Sequence, residues 1–367
     1  MINQIQPWIN SQESNYIKKV LSKKYLTENK ETKKFEDNIK KKFLSSNAVC
    51  VSNWTNGIFL ALKAMNLKKG DEIIVPNLTF IATVTPIIWA GATPVLCEVD
   101  EKNYNLDLTK LTRLINKKTK CIIPVHLYGH CCDLDKLLRL AKNKKITVLE
   151  DAAQAIGAKY KNKYLGTFGD FGGFSFYGNK IMTTGEGGVL LFRNKKFYKK
   201  IYSLKNHGRD KKGVFKHHSI GYNFMFTEMQ AAVGNIQLKK LNKIINRKKN
   251  IFNFYKKNLE NIREISFIEK IPESEPVHWF TNITTKKKNK LKKYLMLNKI
   301  QTRDFFLPIN QQPCFKKKKY IKNIKSKFPV SDKLYKYGLS LPSSYNLTSK
   351  ELNFIVKKIK YFFQSKN

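Results

Sequence analysis

Apolar runs of strand length alternate with segments of helical pattern over the first 150 residues, and this alternation is the strongest constraint on the fold. Runs at 48–52, 72–76, 93–99, 121–126 and 146–151 are rich in Val, Ile and Leu, while helical stretches open after Asn53 and span 82–90. Strands separated by crossover helices pair in parallel, because a parallel neighbour needs a connection long enough to return along the sheet. The chain is therefore predicted to be α/β, with a mainly parallel central sheet flanked by helices. Ahead of the sheet, residues 1–25 read as an amphipathic helical arm and 27–42 as a second helix. Beyond it, a long Lys/Asn-rich helix over 228–257 leads into a smaller α+β unit with strands at 276–284 and 300–306 and a helix near 287–298. The length of 367 residues suits two domains, 1–245 and 246–367.

One lysine stands apart from the many others. In Gly169-Asp-Phe-Gly-Gly-Phe-Ser-Phe-Tyr-Gly-Asn-Lys180-Ile-Met-Thr-Thr-Gly-Glu-Gly-Gly188, Lys180 follows an aromatic strand end and precedes a glycine-rich turn, whereas most other lysines lie in Lys/Asn-rich company. A desolvated lysine gives up its proton more readily and becomes a nucleophile towards an aldehyde. Upstream, the strand 146–151 ends in Glu150-Asp151, and a carboxylate at the carboxyl end of a strand is where α/β proteins place ligand contacts. An acid of this kind can keep the ring nitrogen of pyridoxal 5'-phosphate (PLP) protonated, so that the ring accepts charge from a carbanion. Lys180 and Asp151 are the candidate catalytic residues.

The blocks Glu150-Asp-Ala-Ala-Gln154, Gly169-Asp170, Phe174-Ser-Phe176, Gly178-Asn-Lys180 and Thr184-Gly-Glu-Gly-Gly188 resemble the DegT/DnrJ/EryC1/StrS family of PLP-dependent sugar aminotransferases. Gly70–Pro76, Thr79–Ala82, Gly91–Val95, Pro124–Gly129, His207-Gly208, Gly221-Tyr-Asn223 and Gln230–Gly234 agree in order, so the likeness runs along essentially the whole chain. It implies the type I aminotransferase fold. It also implies a cofactor site built from Lys180, Asp151, Gln154, Ser175, Thr55, Trp54, Phe80 and Asn223. Thr55 would lie at a helix N-terminus that holds the phosphate, although an ordinary capping threonine has the same local pattern. Trp54 stands where the family carries glycine, and its bulk is expected to restrict the approach of the backbone to the phosphate. Phe80 would stack on the cofactor ring, against the alternative of a core phenylalanine. Asn223 would reach the phosphate of a neighbouring subunit, which implies a homodimer with shared active sites; the alternative is a turn-capping side chain. His126 reads as a structural histidine.

Within the family, the Lys180 block and Ile300–Pro313 look most like the GDP-perosamine synthase group. That implies a nucleotide-linked 4-keto-6-deoxy sugar as substrate, glutamate as amino donor, and Arg303, Phe305 and Phe306 as substrate-binding residues. Asp304 replaces the proline usual after Thr-Arg, which leaves a different keto-sugar nucleotide open. A PLP-bound regulator without turnover is a further alternative.

Composition bears on the remaining classes. The 70 Lys and Arg against 27 Asp and Glu give +43, a balance that raises nucleic-acid binding. The basic residues are dispersed, however, and no nucleic-acid-binding module accompanies them. The runs 286–293 and 316–327 are expected to be solvated faces. Six cysteines lack paired C-x-x-C spacing, so free thiols and a reducing, cytoplasmic compartment are expected, with no metal site. No apolar run approaches a membrane span.

Overall fold

A computed structural model describes residues 1–211, 213–316 and 320–364. Seven strands form the large sheet: β1 (Asn47–Val51), β2 (Glu72–Pro76), β3 (Thr93–Cys97), β4 (Thr119–Ile122), β5 (Thr147–Asp151), β8 (Phe171–Ser175) and β9 (Gly188–Phe192), with β6 (Lys159–Tyr160) and β7 (Lys163–Tyr164) pairing as a hairpin between β5 and β8. Their order is β1-β9-β8-β5-β4-β2-β3. From β8 through β3 every pairing is parallel, as the alternation with helices demands. β9 is antiparallel to both of its neighbours. No helix separates it from β8, only residues 176–187, and so short a connection returns the chain in the opposite direction. Apolar clusters cover both faces, one containing Phe35, Phe43, Phe174 and Phe176, the other Ile58, Leu60, Leu190 and Phe192.

The helix Glu228–Leu259 links the two halves. Its start is fixed by a capping box between Thr227 and Gln230, and Gly234 admits the ring of Phe35, which a Cβ would meet at 2.7 Å. Its last turns place Ile251, Tyr255 and Leu259 in a third core beneath a second sheet, ordered β10 (Ser266–Phe267), β12 (Thr281–Thr284), β14 (Gly338–Leu341), β13 (Arg303–Asp304). A further short strand, β11 (Ser274–Glu275), leaves this half to pair with β6.

Three expectations need correction. The first ten residues are extended, not helical: Ile2 bridges Ile300, Trp8 stacks on Tyr345 with centroids 3.9 Å apart, and the helix occupies only Ser11–Leu21 behind an Asn10–Glu13 capping box. Residues 276–284 are not one strand, because Pro276 lacks an N–H and His278 adopts φ +47°, which breaks the ladder until β12 begins at Thr281. The run 286–293 is not wholly solvated, since Lys288 is buried, donates to the Tyr335 carbonyl at 2.8 Å and lies 3.3 Å from Asp304. Of the run 316–327, residues 317–319 lie outside the described residues, and Lys322 pairs with Glu72 at 2.6 Å. Among the described residues no helix is long and apolar enough to cross a membrane.

Candidate active site

The β8–β9 connection closes on itself and aims Lys180. Phe176 N–H donates to the Gly187 carbonyl, Thr184 N–H to the Phe176 carbonyl and Lys180 N–H to the Tyr177 carbonyl, each at 2.9 Å. Buried Phe176 and Met182 pin the loop to the core. Gly187 sits at φ +152°, where a Cβ would come within 2.4 Å of the Thr184 hydroxyl, so only glycine fits. Lys180 Nζ lies 3.9 Å from the ring centroid of Trp279, and the Trp279 indole N–H donates to the carbonyl of Asn179 at 2.7 Å. Burial lowers the Lys180 amine to about 8, with Asp151 opposing the shift and Arg303 adding to it. The lysine and the acid singled out in the sequence are thus brought within electrostatic reach of each other.

Asp151 ends β5 almost fully buried. Its Oδ1 accepts from the Trp54 indole N–H at 2.8 Å and from Ala153 N–H at 3.1 Å, and its Oδ2 from the Thr83 hydroxyl at 2.7 Å. A carboxylate offers about four acceptor sites, so one remains open on Oδ2. An acid held this way fits the need of a PLP ring nitrogen for a carboxylate partner. The finding also corrects the role expected of Trp54. Its indole does not crowd a phosphate; it fills space left by Gly57 and Gly173, whose added Cβ atoms would meet the ring at 2.5 and 2.2 Å, and it reaches Asp151 instead.

Trp54 opens the helix Trp54–Ala64, whose cap is Asn53, accepting from Asn56 N–H at 2.9 Å. Thr55 lies in the first turn and is not the cap. The N-terminus of this helix, with the Thr55 hydroxyl, is suited to a phosphate. Ser175, the last residue of β8, accepts from Tyr177 N–H at 3.3 Å. Asn223 is exposed, its backbone bridges Asn206, and the next residue, Phe224, receives the Ser52 N–H at 3.1 Å, which lays this segment beside the end of β1.

Aromatic rings line the neighbouring wall. Gln154 Oε1 accepts from Tyr128 N–H at 2.7 Å, holding a residue whose φ is +56°. The Tyr128 ring lies parallel to Phe306 at 5.9 Å, and Phe306 is 5.6 Å from Phe80, whose ring is 52% exposed. Phe80 is therefore not a core residue. Phe305 is: it is buried against Tyr104 and Tyr128 and cannot serve a substrate directly. Arg303 is exposed, with its guanidinium 5.4 Å above the Phe280 ring. Asp304 turns the other way, towards Lys288 and Lys292. Trp279, Tyr128 and Thr83 were not identified from sequence. Trp279 lay inside a run read as continuous strand, and nothing local couples it to a residue 100 positions away.

Residues 7–360 match the model of the DegT/DnrJ/EryC1/StrS aminotransferase family. GDP-perosamine synthase of Escherichia coli O157:H7 is 35% identical over 368 residues, covering 98% of both chains. The UDP-N-acetyl-3-dehydro-alpha-D-glucosamine 3-aminotransferase of Acidithiobacillus ferrooxidans is 40% identical over 185 residues, 50% of this chain and 49% of its own. The crystal structure of S. venezuelae DesV superposes with a TM-score of 0.92 at 28% identity, over 97% of this chain and 95% of that one. By sequence and by fold, the chain belongs to the DegT/DnrJ/EryC1/StrS family and is a PLP-dependent sugar aminotransferase with the type I fold.

Proposed function

We propose that the protein transfers an amino group from glutamate to a nucleotide-linked 4-keto-6-deoxy sugar, in the manner of a GDP-perosamine synthase supplying surface polysaccharide. The observation that carries the reading is a lysine amine lowered to about 8 beside a carboxylate with one open acceptor site, at the carboxyl end of a parallel sheet. PLP supplies a ring that withdraws charge from the carbon losing its proton. Asp151 keeps the ring nitrogen protonated, and Trp54 and Thr83 hold Asp151 in place. Lys180 is both covalent anchor and proton carrier, and an amine titrating near neutrality suits both proton uptake and release. Thr55 and Ser175 hold the phosphate, Gln154 fixes Tyr128, and Phe80 with Phe306 forms the aromatic wall. Arg303 supplies positive charge for the diphosphate of the sugar nucleotide.

The GDP-perosamine synthases among the relatives support this substrate class. Asp304, engaged by two lysines of its own half, gives no reason for a change of sugar. A different keto-sugar nucleotide is the second reading, favoured by the half-length match to the 3-aminotransferase. An amination assay with glutamate over a panel of nucleotide keto-sugars, read by mass spectrometry, separates them: a mass gain restricted to the 4-keto-6-deoxy members supports the proposal, and one confined to a 3-keto sugar overturns it.

The enzyme works as a homodimer in the cytoplasm in this reading. Six free cysteines suit a reducing compartment, and Phe215 and Ile220, 85% and 92% exposed in the loop before Asn223, suit cover by a second chain. Mixed Lys180→Ala and Asn223→Ala chains should then recover activity that neither has alone; verified heterodimers without activity would assign Asn223 to its own chain.

A further inference from the structure

Trp279 meets the Lys180 loop in two ways at once. Its ring face lies under the Lys180 amine, and its indole N–H holds the carbonyl of the preceding residue. Trp279 is itself fixed from every side. Its own N–H donates to the Tyr128 carbonyl at 3.2 Å, its ring stacks on Phe280 with centroids 3.8 Å apart, and its carbonyl accepts from Lys248 Nζ at 3.0 Å. Lys248 is buried and also donates to the Ser343 carbonyl at 2.8 Å, which ties the tryptophan to the smaller sheet. The neighbouring His278 adopts φ +47°, which interrupts the extended chain immediately before Trp279.

We infer that Trp279 is a positioning residue for Lys180, its ring face seating the lysine's ammonium whenever the amine is not covalently engaged. The inference rests on the reading of Lys180 as the catalytic amine. An aromatic face attracts a cation through its quadrupole, most strongly where water is excluded. Asp151, Arg303, Lys248 and the Tyr128 phenol, which burial pushes up and keeps neutral, face this pair. Asp151 favours the ammonium and Arg303 disfavours it, while Lys248 lies against the tryptophan's backbone. Burial costs the ammonium its hydration and Trp279 returns part of that stabilisation, so removing the ring should lower the Lys180 midpoint further, not raise it.

The test is the pH midpoint of competitive acetylation of Lys180 and Lys248, quantified by peptide mass spectrometry. It uses the full-length protein saturated with pyridoxamine 5'-phosphate, the cofactor's amine form. Burial is expected to hold the wild-type Lys180 midpoint below the ordinary lysine value. Trp279→Leu should lower it by about one pH unit, the scale of a buried cation–π contact, and Trp279→Phe, which keeps a ring, by clearly less. An unchanged Lys180 midpoint in folded Trp279→Leu overturns the inference. If that variant unfolds, which would raise both lysine midpoints to the ordinary value, Trp279→Phe decides: a small fall supports the inference and no fall overturns it. An error in the catalytic reading of Lys180 would show instead as turnover surviving in Lys180→Ala, a result independent of the midpoint measured in protein that carries the lysine.

Discussion

Glu150 and Asp151 are successive residues of one strand, and the alternation of side chains across a sheet sends them into opposite regions of the molecule. Glu150 enters the scaffold. Its Oε1 accepts from Phe168 N–H at 2.5 Å and Gly169 N–H at 2.7 Å, and its Oε2 from Gly166 N–H and His126 Nε2, both at 2.8 Å. All four acceptor sites are used. Burial alone would raise this carboxyl, but His126 and the backbone donors outweigh it and hold Glu150 below its ordinary value. Asp151 faces the other way with three of four sites filled. What separates scaffold from site here is not the residue type or the depth of burial but whether an acceptor is left over for a ligand.

That contrast can be broken by exchanging each acid for its amide. Asp151→Asn should leave folding nearly unchanged and reduce kcat by roughly a thousandfold or more, because a neutral amide no longer favours a protonated ring nitrogen. Steady-state kinetics beside thermal unfolding reads both quantities, and near-normal turnover would remove Asp151 from the mechanism. Glu150→Gln should do the reverse. Placed at the Oε2 position, its amide nitrogen can donate to His126 only if that ring switches tautomer and must still face the Gly166 N–H, itself a donor, at a cost of about 1–3 kcal/mol in stability, while the folded fraction keeps most of its turnover. The pH dependence follows from the sign of the shift. A carboxyl depressed in the folded state contributes stability above the ordinary value of 4.5 and loses it as pH falls, so the stability gap between wild type and Glu150→Gln should narrow in denaturant titrations below that pH.

A finer test keeps the acid and removes one of its donors. Trp54→Phe keeps an aromatic ring but deletes both the N–H to Asp151 and the outer carbons of the indole that pack on Gly57 and Gly173, so its turnover is read beside its thermal stability. One hydrogen bond to a charged group, with Thr83 and Ala153 still in place, should be worth about a ten- to hundredfold loss of turnover, measurably less than Asp151→Asn. A loss as large as that of Asp151→Asn would mean that Trp54 does more than orient the carboxylate.

The same contrast marks how far the sequence could be read. Lys180 and Asp151 were legible because each ends or follows a short buried strand with distinctive neighbours, and the parallel sheet was legible from the strand–helix alternation. The direction of the Trp54 indole was not, since it depends on two glycines, one of them on β8, that make room for it. Phe305 and Phe306 could not be told apart, because their faces follow from the pairing of β13 with β14 and from the packing of Tyr128. Trp279 was hidden for a similar reason. Its meaning arises from a left-handed residue beside it and from a partner loop in the other half of the chain.

The central claim is that Lys180, and not any other lysine of a lysine-rich chain, is the amine that carries the cofactor. Borohydride reduction of the purified PLP-bound enzyme followed by peptide mapping tests it most directly. The pyridoxyl group should be found on the peptide bearing half-buried Lys180, in about one equivalent per chain, and in none of the peptides bearing Lys205, Lys240, Lys248 or Lys288, the buried lysines among the described residues. A label on any of those, or one spread across surface lysines with Lys180 unmodified, would contradict the account.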